Sequence, residues 1–180
     1  VQRLVAKGIR QTLGRDSREA AAKVGIKWPN DIVVDGKKVC GILTEMSMEQ
    51  GYIHHIVIGV GINVRRQEFS EEIRERAAAI DEQCGFCISR SQLIADIMEA
   101  FEEDYEIFLQ THDLKGLRDS YAKLLLNQDR EVCVLDPKGE YRGIARGIND
   151  QGELIVERQD GTVEEVYAGE VSVRGIYGYV

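Results

Sequence analysis

Lys27-Trp28-Pro29-Asn30-Asp31-Ile32-Val33-Val34-Asp35-Gly36-Lys37-Lys38-Val39-Cys40-Gly41-Ile42-Leu43 is the stretch on which the reading of the fold turns. Pro29 holds Trp28 extended and cannot donate to a sheet ladder. Asn30 and Asp31 then sit at a bend, where short polar side chains reach backbone or ligand. Asp35-Gly36 between two β-rich runs predicts a tight hairpin. It folds Ile32–Val34 back onto a strand from Val39 to Met46 and sets Lys37 and Lys38 beside the turn. Gln50-Gly51 predicts a second turn into Ile53–Val60, a run apolar at nearly every position, as in a strand covered on both faces. Gly59 and Gly61 flank Val60 and leave room for a ligand or another backbone. Asn, Asp and Lys thereby gather near one end of a small sheet, which makes that end a candidate site.

Upstream, Leu4, Val5, Ile9, Leu13, Ala20, Ala21 and Val24 recur at helical spacing. Gly14 and Arg15-Asp16-Ser17 predict a break into two helices, with Asp16 or Ser17 capping the second and Gly25 ending it. Downstream, Ser70-Glu71-Glu72 suits a helix start. Ser89 and Gln92 have capping-box spacing ahead of a stripe of Ile94, Ile97, Met98, Phe101, Tyr105 and Phe108, expected to pack in the core. A further helix is expected over Leu114, Leu117, Tyr121, Leu124 and Leu125. Composition changes near Asn127. From Glu131 on, turn signals at Asp136–Gly139, Asn149–Gly152 and Asp160-Gly161 predict short strands in a small all-β unit.

Composition bounds the function. The 180 residues carry a formal charge of −8, 43% apolar and 30% charged residues, ordinary for a soluble globular protein. Such a charge argues against a nonspecific nucleic-acid binder, which needs a clustered basic face. No run reaches the length of a membrane span, and no leader precedes a cleavage site. Four cysteines do not make a disulfide framework; Cys40 and Cys133 in strand patterns suit reduced thiols and a cytoplasmic protein. Cys84-Gly85-Phe86-Cys87 has the spacing of half a zinc site without a second pair, and adjacent His54 and His55 point to opposite strand faces. The chain opens on Val1 directly into helical text, so a fragment of a longer protein is expected.

At Lys27-Trp28-Pro29-Asn30-Asp31, Lys38-Val39-Cys40-Gly41-Ile42-Leu43, Ile58-Gly59-Val60-Gly61-Ile62-Asn63 and Gly169-Glu170-Val171-Ser172-Val173-Arg174, the sequence closely resembles the biotin protein ligases. Four motifs in order over nearly the whole chain carry the resemblance; a lone Gly-x-Gly would not. It implies an α+β fold: a mixed sheet with packed helices, the N-terminally truncated catalytic domain of a class II synthetase-like ligase, over 1–127. A small SH3-like β-barrel would follow over 128–180. The implied chemistry has two steps. Biotin's carboxylate attacks the α-phosphate of ATP to give biotinyl-5′-AMP and pyrophosphate, and a lysine of a biotin carboxyl carrier protein, an acetyl-CoA carboxylase subunit, then displaces AMP.

Adenylation brings two anions together, so the site needs cations and fixed donors. By resemblance Lys38 is the catalytic residue, over the carboxylate and the α-phosphate. An ammonium about 4 Å from a phosphate oxygen is worth on the order of 4 kcal/mol at an effective dielectric near 20. The bland alternative is a solvated hairpin lysine, as expected of Lys37. Asn30 and Asp31 would shape the nucleotide end, with Asp31 either a Mg²⁺ ligand or part of an Asx turn. Asn63 would pair with adenine through its amide or cap a strand end. Trp28 would cover the nucleotide or pack in the core; Lys27 would meet a phosphate or only Asp31. Gly41, Gly59 and Gly61 belong to the matched motifs, and Glu170 and Arg174 lie where the small domain reaches toward the nucleotide. ATP, biotin and Mg²⁺ are the implied cofactors.

The family's glycine- and arginine-rich loop belongs upstream and is not in this sequence, so the chain alone is expected to be incomplete for catalysis. Some members carry an N-terminal DNA-binding helix-turn-helix, which these residues do not contain, and members dimerise through sheet edges. Two rival readings remain: a noncatalytic nucleotide-binding or dimerisation module, and a ligase for a related acid such as lipoate.

Overall fold

Two antiparallel sheets and five helices make up the computed structural model, which describes residues 1–49, 51–136, 139–168 and 172–175. Helix α1 (Gln2–Gly14) buries Leu4, Val5, Ile9 and Leu13. The chain then breaks as its sequence predicts: Ser17 caps α2 (Arg18–Ala22), its side chain accepting from the Ala20 amide. Gly25 does not end that helix but lies within β1 (Val24–Lys27), a strand not anticipated, which pairs with β2 (Asp31–Val34) across the bend containing the cis Trp28–Pro29 peptide. Asp35 and Gly36 adopt positive φ (49° and 79°) in the two-residue turn that carries β2 into β3 (Lys37–Glu49). The sheet runs β1-β2-β3-β4, ending on β4 (Tyr52–Ile62). Its named strands all pair antiparallel, and parallel pairing survives in the isolated bridges Ile26–Leu125 and Lys38–Ala77.

Two apolar stripes sit on the outside. β4 was expected to be covered on both faces, yet it is exposed almost throughout: it ends the sheet beside β3, and its faces stand uncovered among the described residues. Tyr52, Ile56 and Val57 are examples. From Ser70 to Arg76 the chain makes turns rather than the expected helix, and α3 (Ile80–Cys84) follows. In α4 (Arg90–Thr111) Ile97 packs against the core as expected, but the rest of the expected stripe faces outward. Leu93, Asp96, Ala100 and Asp104 are buried, while Ile94, Met98, Phe101, Tyr105 and Phe108 are exposed. The cause is α1, whose polar side chains form a ladder against α4: Arg3 to Asp104, Lys7 to Glu103, Gln11 to Glu99 and Thr12 to Asp96. Ser89 caps α4 on the Gln92 amide (3.3 Å), but the Gln92 side chain turns to Asp96 instead of closing the capping box.

Asp96 is the buried knot of this interface. Thr12 Oγ1 donates to it at 2.6 Å, Arg15 Nη2 at 2.7 Å and Gln92 Nε2 at 2.8 Å. Burial pushes its carboxyl pKa up, but the Arg15, Thr12 and Gln92 hydrogen bonds outweigh that and hold it below the usual value. A carboxylate depressed in the folded state stabilises the fold above its unfolded pKa, and that stability is lost as pH falls through the folded value. Asp96→Asn is therefore expected to lower stability at neutral pH and flatten the loss below about pH 3.9. Urea titrations across pH 2–6, about the carboxylate range, check this; an unchanged acid limb would remove Asp96 from the account.

After α5 (Arg118–Ala122), where Leu117, Tyr121 and Leu125 are buried, the chain enters a second sheet. It comprises β5 (Glu131–Asp136), β6 (Gly139–Ile148), β7 (Leu154–Glu157), β8 (Val163–Val166) and β9 (Ser172–Gly175), in the order β8-β7-β6-β5-β9. This is the β-rich C-terminal part its turn signals predict. The sheets share one core. The Ile26 amide donates to Leu124 and the Leu126 amide to Ile26, while Trp28, 2% exposed, donates Nε1–H to the Gly152 carbonyl at 3.1 Å.

Candidate functional site

An unbroken ladder from the Asp35-Gly36 turn would set Cys40 opposite Asp31. Instead Val33 faces Lys38, Ile32 faces Cys40 and Asp31 faces Gly41, leaving Val39 as the extra residue of a β-bulge. Gly41 in turn faces Gly61, and Leu43 faces Gly59. Cross-strand partners share a face, so Asp31, Gly41 and Gly61 form a row across three strands. Lys38 lies across that row: its Nζ is 2.5 Å from Asp31 Oδ1. Its Nζ and Cε both stand 3.3 Å from the point a Cβ on Gly41 would occupy. The glycine suits this close approach, since a methyl group there would press on the ammonium and oblige it to shift.

The result is an open trough of about 520 Å³ lined by Asn30, Lys38, Gly41, Ile42, Leu43, Gly59, Val60 and Gly61. Lys38 keeps 38% of its side chain exposed while Asp31 keeps 9%, so the ammonium is presented and the carboxylate orients it from below the surface. Lys27, also buried, brings its Nζ to 4.0 Å from Asp31 Oδ2. Asn30 is exposed and latches the strand end. Its Nδ2 donates to the Ile42 carbonyl at 3.2 Å, and the Ile42 amide donates to the Asn30 carbonyl at 2.9 Å. Burial pushes the neighbouring Cys40 thiol up to about 12, with Asp31 adding to the rise and Lys38 opposing it. Cys40 is thus a protonated core residue.

The other candidates stand as follows. Gly59 and Gly61 line the trough with Lys38 and Asn30. Asn63 is half-buried just past β4 and is not among the lining residues; its Oδ1 accepts from Gln67 Nε2 at 3.1 Å, and its backbone is tied to Val39 and Ile80. Trp28 is in the core. Arg174 lies in β9 opposite Cys133, and Glu170 lies outside the described residues. Lys37 parts from Lys38 and lines a second hollow with Arg66, Gln67 and Arg74. Sequence reasoning missed the bulge and the Ile42 latch. The three-residue spacing of Lys38 and Gly41, odd for two residues sharing a strand face, was the available signal.

This arrangement offers an anion a presented ammonium, an amide and a flat glycine floor. It fits a magnesium ion on Asp31 poorly. That carboxylate is enclosed and already faces two ammonium groups, so a divalent ion there would have to displace Lys38. Among the described residues no group of three or more His, Cys, Asp or Glu is placed to hold a metal, and no helix is long and apolar enough to cross a membrane.

Comparison with known proteins adds independent findings. Residues 1–63 match the model of the Biotin/lipoate A/B protein ligase family, and residues 129–174 match the Biotin protein ligase C terminal domain. The bifunctional ligase/repressor BirA of Bacillus spizizenii is 37% identical over 162 residues, covering 86% of this chain and 48% of the relative. The biotin–[acetyl-CoA-carboxylase] ligase of Mycobacterium tuberculosis is 31% identical, over 83% of this chain and 53% of its own length. The chain thus spans about half the length of these curated relatives. Among solved structures, the biotin protein ligase of Aquifex aeolicus in complex with biotin and ATP superposes with a TM-score of 0.75 at 26% identity, covering 97% of this chain and 71% of that one.

Proposed function

Since this chain belongs to the biotin protein ligase family, we propose that it is part of an ATP-dependent ligase that forms biotinyl-5′-AMP and transfers biotin to a lysine of a biotin carboxyl carrier protein. The observation that carries this reading is the Lys38 ammonium, fixed by Asp31 over Gly41 and still open to the trough. When biotin's carboxylate meets the α-phosphate, like charges converge, and an oriented cation stabilises the pair as charge passes to pyrophosphate. Asp31 holds that cation in place before substrate arrives, which avoids reorganisation during reaction.

Asn30 would contact the nucleotide end beside its latch on Ile42. Asn63 and Arg174 remain candidates for the adenylate, Asn63 by a shift of its amide from Gln67. Trp28 acts through packing, as its burial supports. Magnesium, if used, would be carried on the phosphates rather than by Asp31, given the two lysines that face that carboxylate. Residues 1–127 are read as catalytic and 128–180 as the C-terminal domain, a division supported by the two sheets and by the two matched segments. The exposed edge strand β4 supports self-association of copies.

Biotin-dependent exchange of labelled pyrophosphate into ATP by the complete protein tests the proposal. Exchange with biotin and not with lipoate is expected. Exchange with lipoate alone would transfer the reading to that acid, and none with either acid would leave a noncatalytic module. Gly41→Ala is expected to lower exchange by roughly tenfold, because the added methyl obliges the ammonium to give way by less than the misplacement of about 1 Å that costs about 10²-fold. Its thermal midpoint should stay near that of the parent. A G41A protein of unchanged rate would show that the position of Lys38 over Gly41 does not matter.

A further inference from the structure

A hollow of about 570 Å³ lies between α1, α2 and α5, on residues none of which belongs to the Lys38 trough. Its lining carries Arg3, Lys7, Arg10, Arg18 and Lys123, with no acidic side chain. Arg3 and Lys7 are turned to Asp104 and Glu103 of α4. Among the described residues, Arg10, Arg18 and Lys123 have no ion pair or side-chain hydrogen bond. In a chain with 31 acidic and 23 basic side chains, this breaks from the α1–α4 ladder next to it, where each cation meets an acid.

Arg10 is half-buried, so its guanidinium is held partly out of bulk water, where an opposite charge is worth more than at a fully exposed site. Guanidinium groups match the paired oxygens of phosphate and carboxylate. Ala21 and Leu124 supply apolar surface between the cations. The volume falls within the range of about 300–1,000 Å³ typical of small-ligand sites.

We propose that this hollow binds a small polyanion bearing two or more phosphate or carboxylate groups on a short apolar body. The site is independent of the ligase chemistry and stands whether or not Lys38 is catalytic.

Titration calorimetry of the full chain at low ionic strength, with inorganic pyrophosphate and with citrate as probes, tests it. Saturable binding is expected, weakening as salt is added. The combined variant Arg10→Gln, Arg18→Gln, Lys123→Gln is expected to bind at least about tenfold more weakly, while Lys115→Gln, an exposed charge that lines neither hollow, stays within about twofold of the parent. Tighter binding of pyrophosphate would assign the hollow to phosphates, and tighter binding of citrate to carboxylates. Circular dichroism checks that the combined variant is folded. If it is not, the single changes at the exposed Arg18 and Lys123 are each expected to weaken binding. The proposal is overturned by no saturable binding of either probe, by binding that the charge changes leave intact, or by a weakening that Lys115→Gln reproduces.

Discussion

Lys38→Ala is expected to reduce biotin-dependent pyrophosphate exchange in the complete protein by about 10²–10³-fold, the range seen when one preorganised stabiliser of developing charge is removed. The fold should be untouched, since the ammonium sits at the trough surface and Asp31 retains Lys27 nearby. Lys38→Arg is a sharper test. A planar fork is wider than an ammonium, and Nζ already stands 3.3 Å from the Gly41 Cβ position. Arginine should therefore restore charge without restoring rate. Exchange within about threefold of the parent for the alanine variant would remove Lys38 from the mechanism, whatever the family relationship.

Trp28→Ala is expected to cost about 3–5 kcal/mol, as for other fully buried large aromatics. In a chain of this length that corresponds to a fall in Tm on the order of 10 °C. The reason is position: Trp28 is 2% exposed, and its ring N–H reaches the Gly152 carbonyl between β6 and β7. It thus fills the core and pins one sheet to the other. Trp28→Phe separates the two contributions. Phenylalanine keeps most of the apolar contact but leaves the Gly152 carbonyl without that donor, for a loss of about 1–3 kcal/mol. The same variant bears on whether Trp28 covers the nucleotide. An ATP KM unchanged in Trp28→Phe fits a core residue, whereas a large rise would return the ring to the site.

Much of the fold was legible because local chemistry dictated it. Ser17 ends one helix and starts another, Asp35-Gly36 can form few turns other than the one observed, and the Asn149–Gly152 and Asp160-Gly161 signals each join two strands. What was not legible depended on partners. Periodicity shows that α4 has an apolar stripe, but not which face meets α1. Arg3 and Thr12 hold Asp104 and Asp96 inward and leave Phe101 and Tyr105 outside. The apolar run of β4 likewise names a strand without saying what covers it. Of the site, Lys38, Asn30, Gly41, Gly59 and Gly61 were identified by resemblance, and the structure gathers them in one trough. Asp31 was expected to hold a metal or a turn. Its hold on Lys38 is a contact between strands that spacing alone could not reveal.

The extra residue at Val39 has a chemical consequence under the proposed function. Had β3 paired without it, a sulfhydryl instead of a hydrogen atom would stand opposite Asp31, beside the Lys38 side chain. There it would be open to the trough, and the thiolate fraction of an accessible thiol beside a mixed anhydride attacks it, displacing AMP. The protein would then load the vitamin onto itself as a thioester. By turning Cys40 inward, where burial keeps it protonated, one surplus residue in a strand guards the activated acyl group for its proper acceptor.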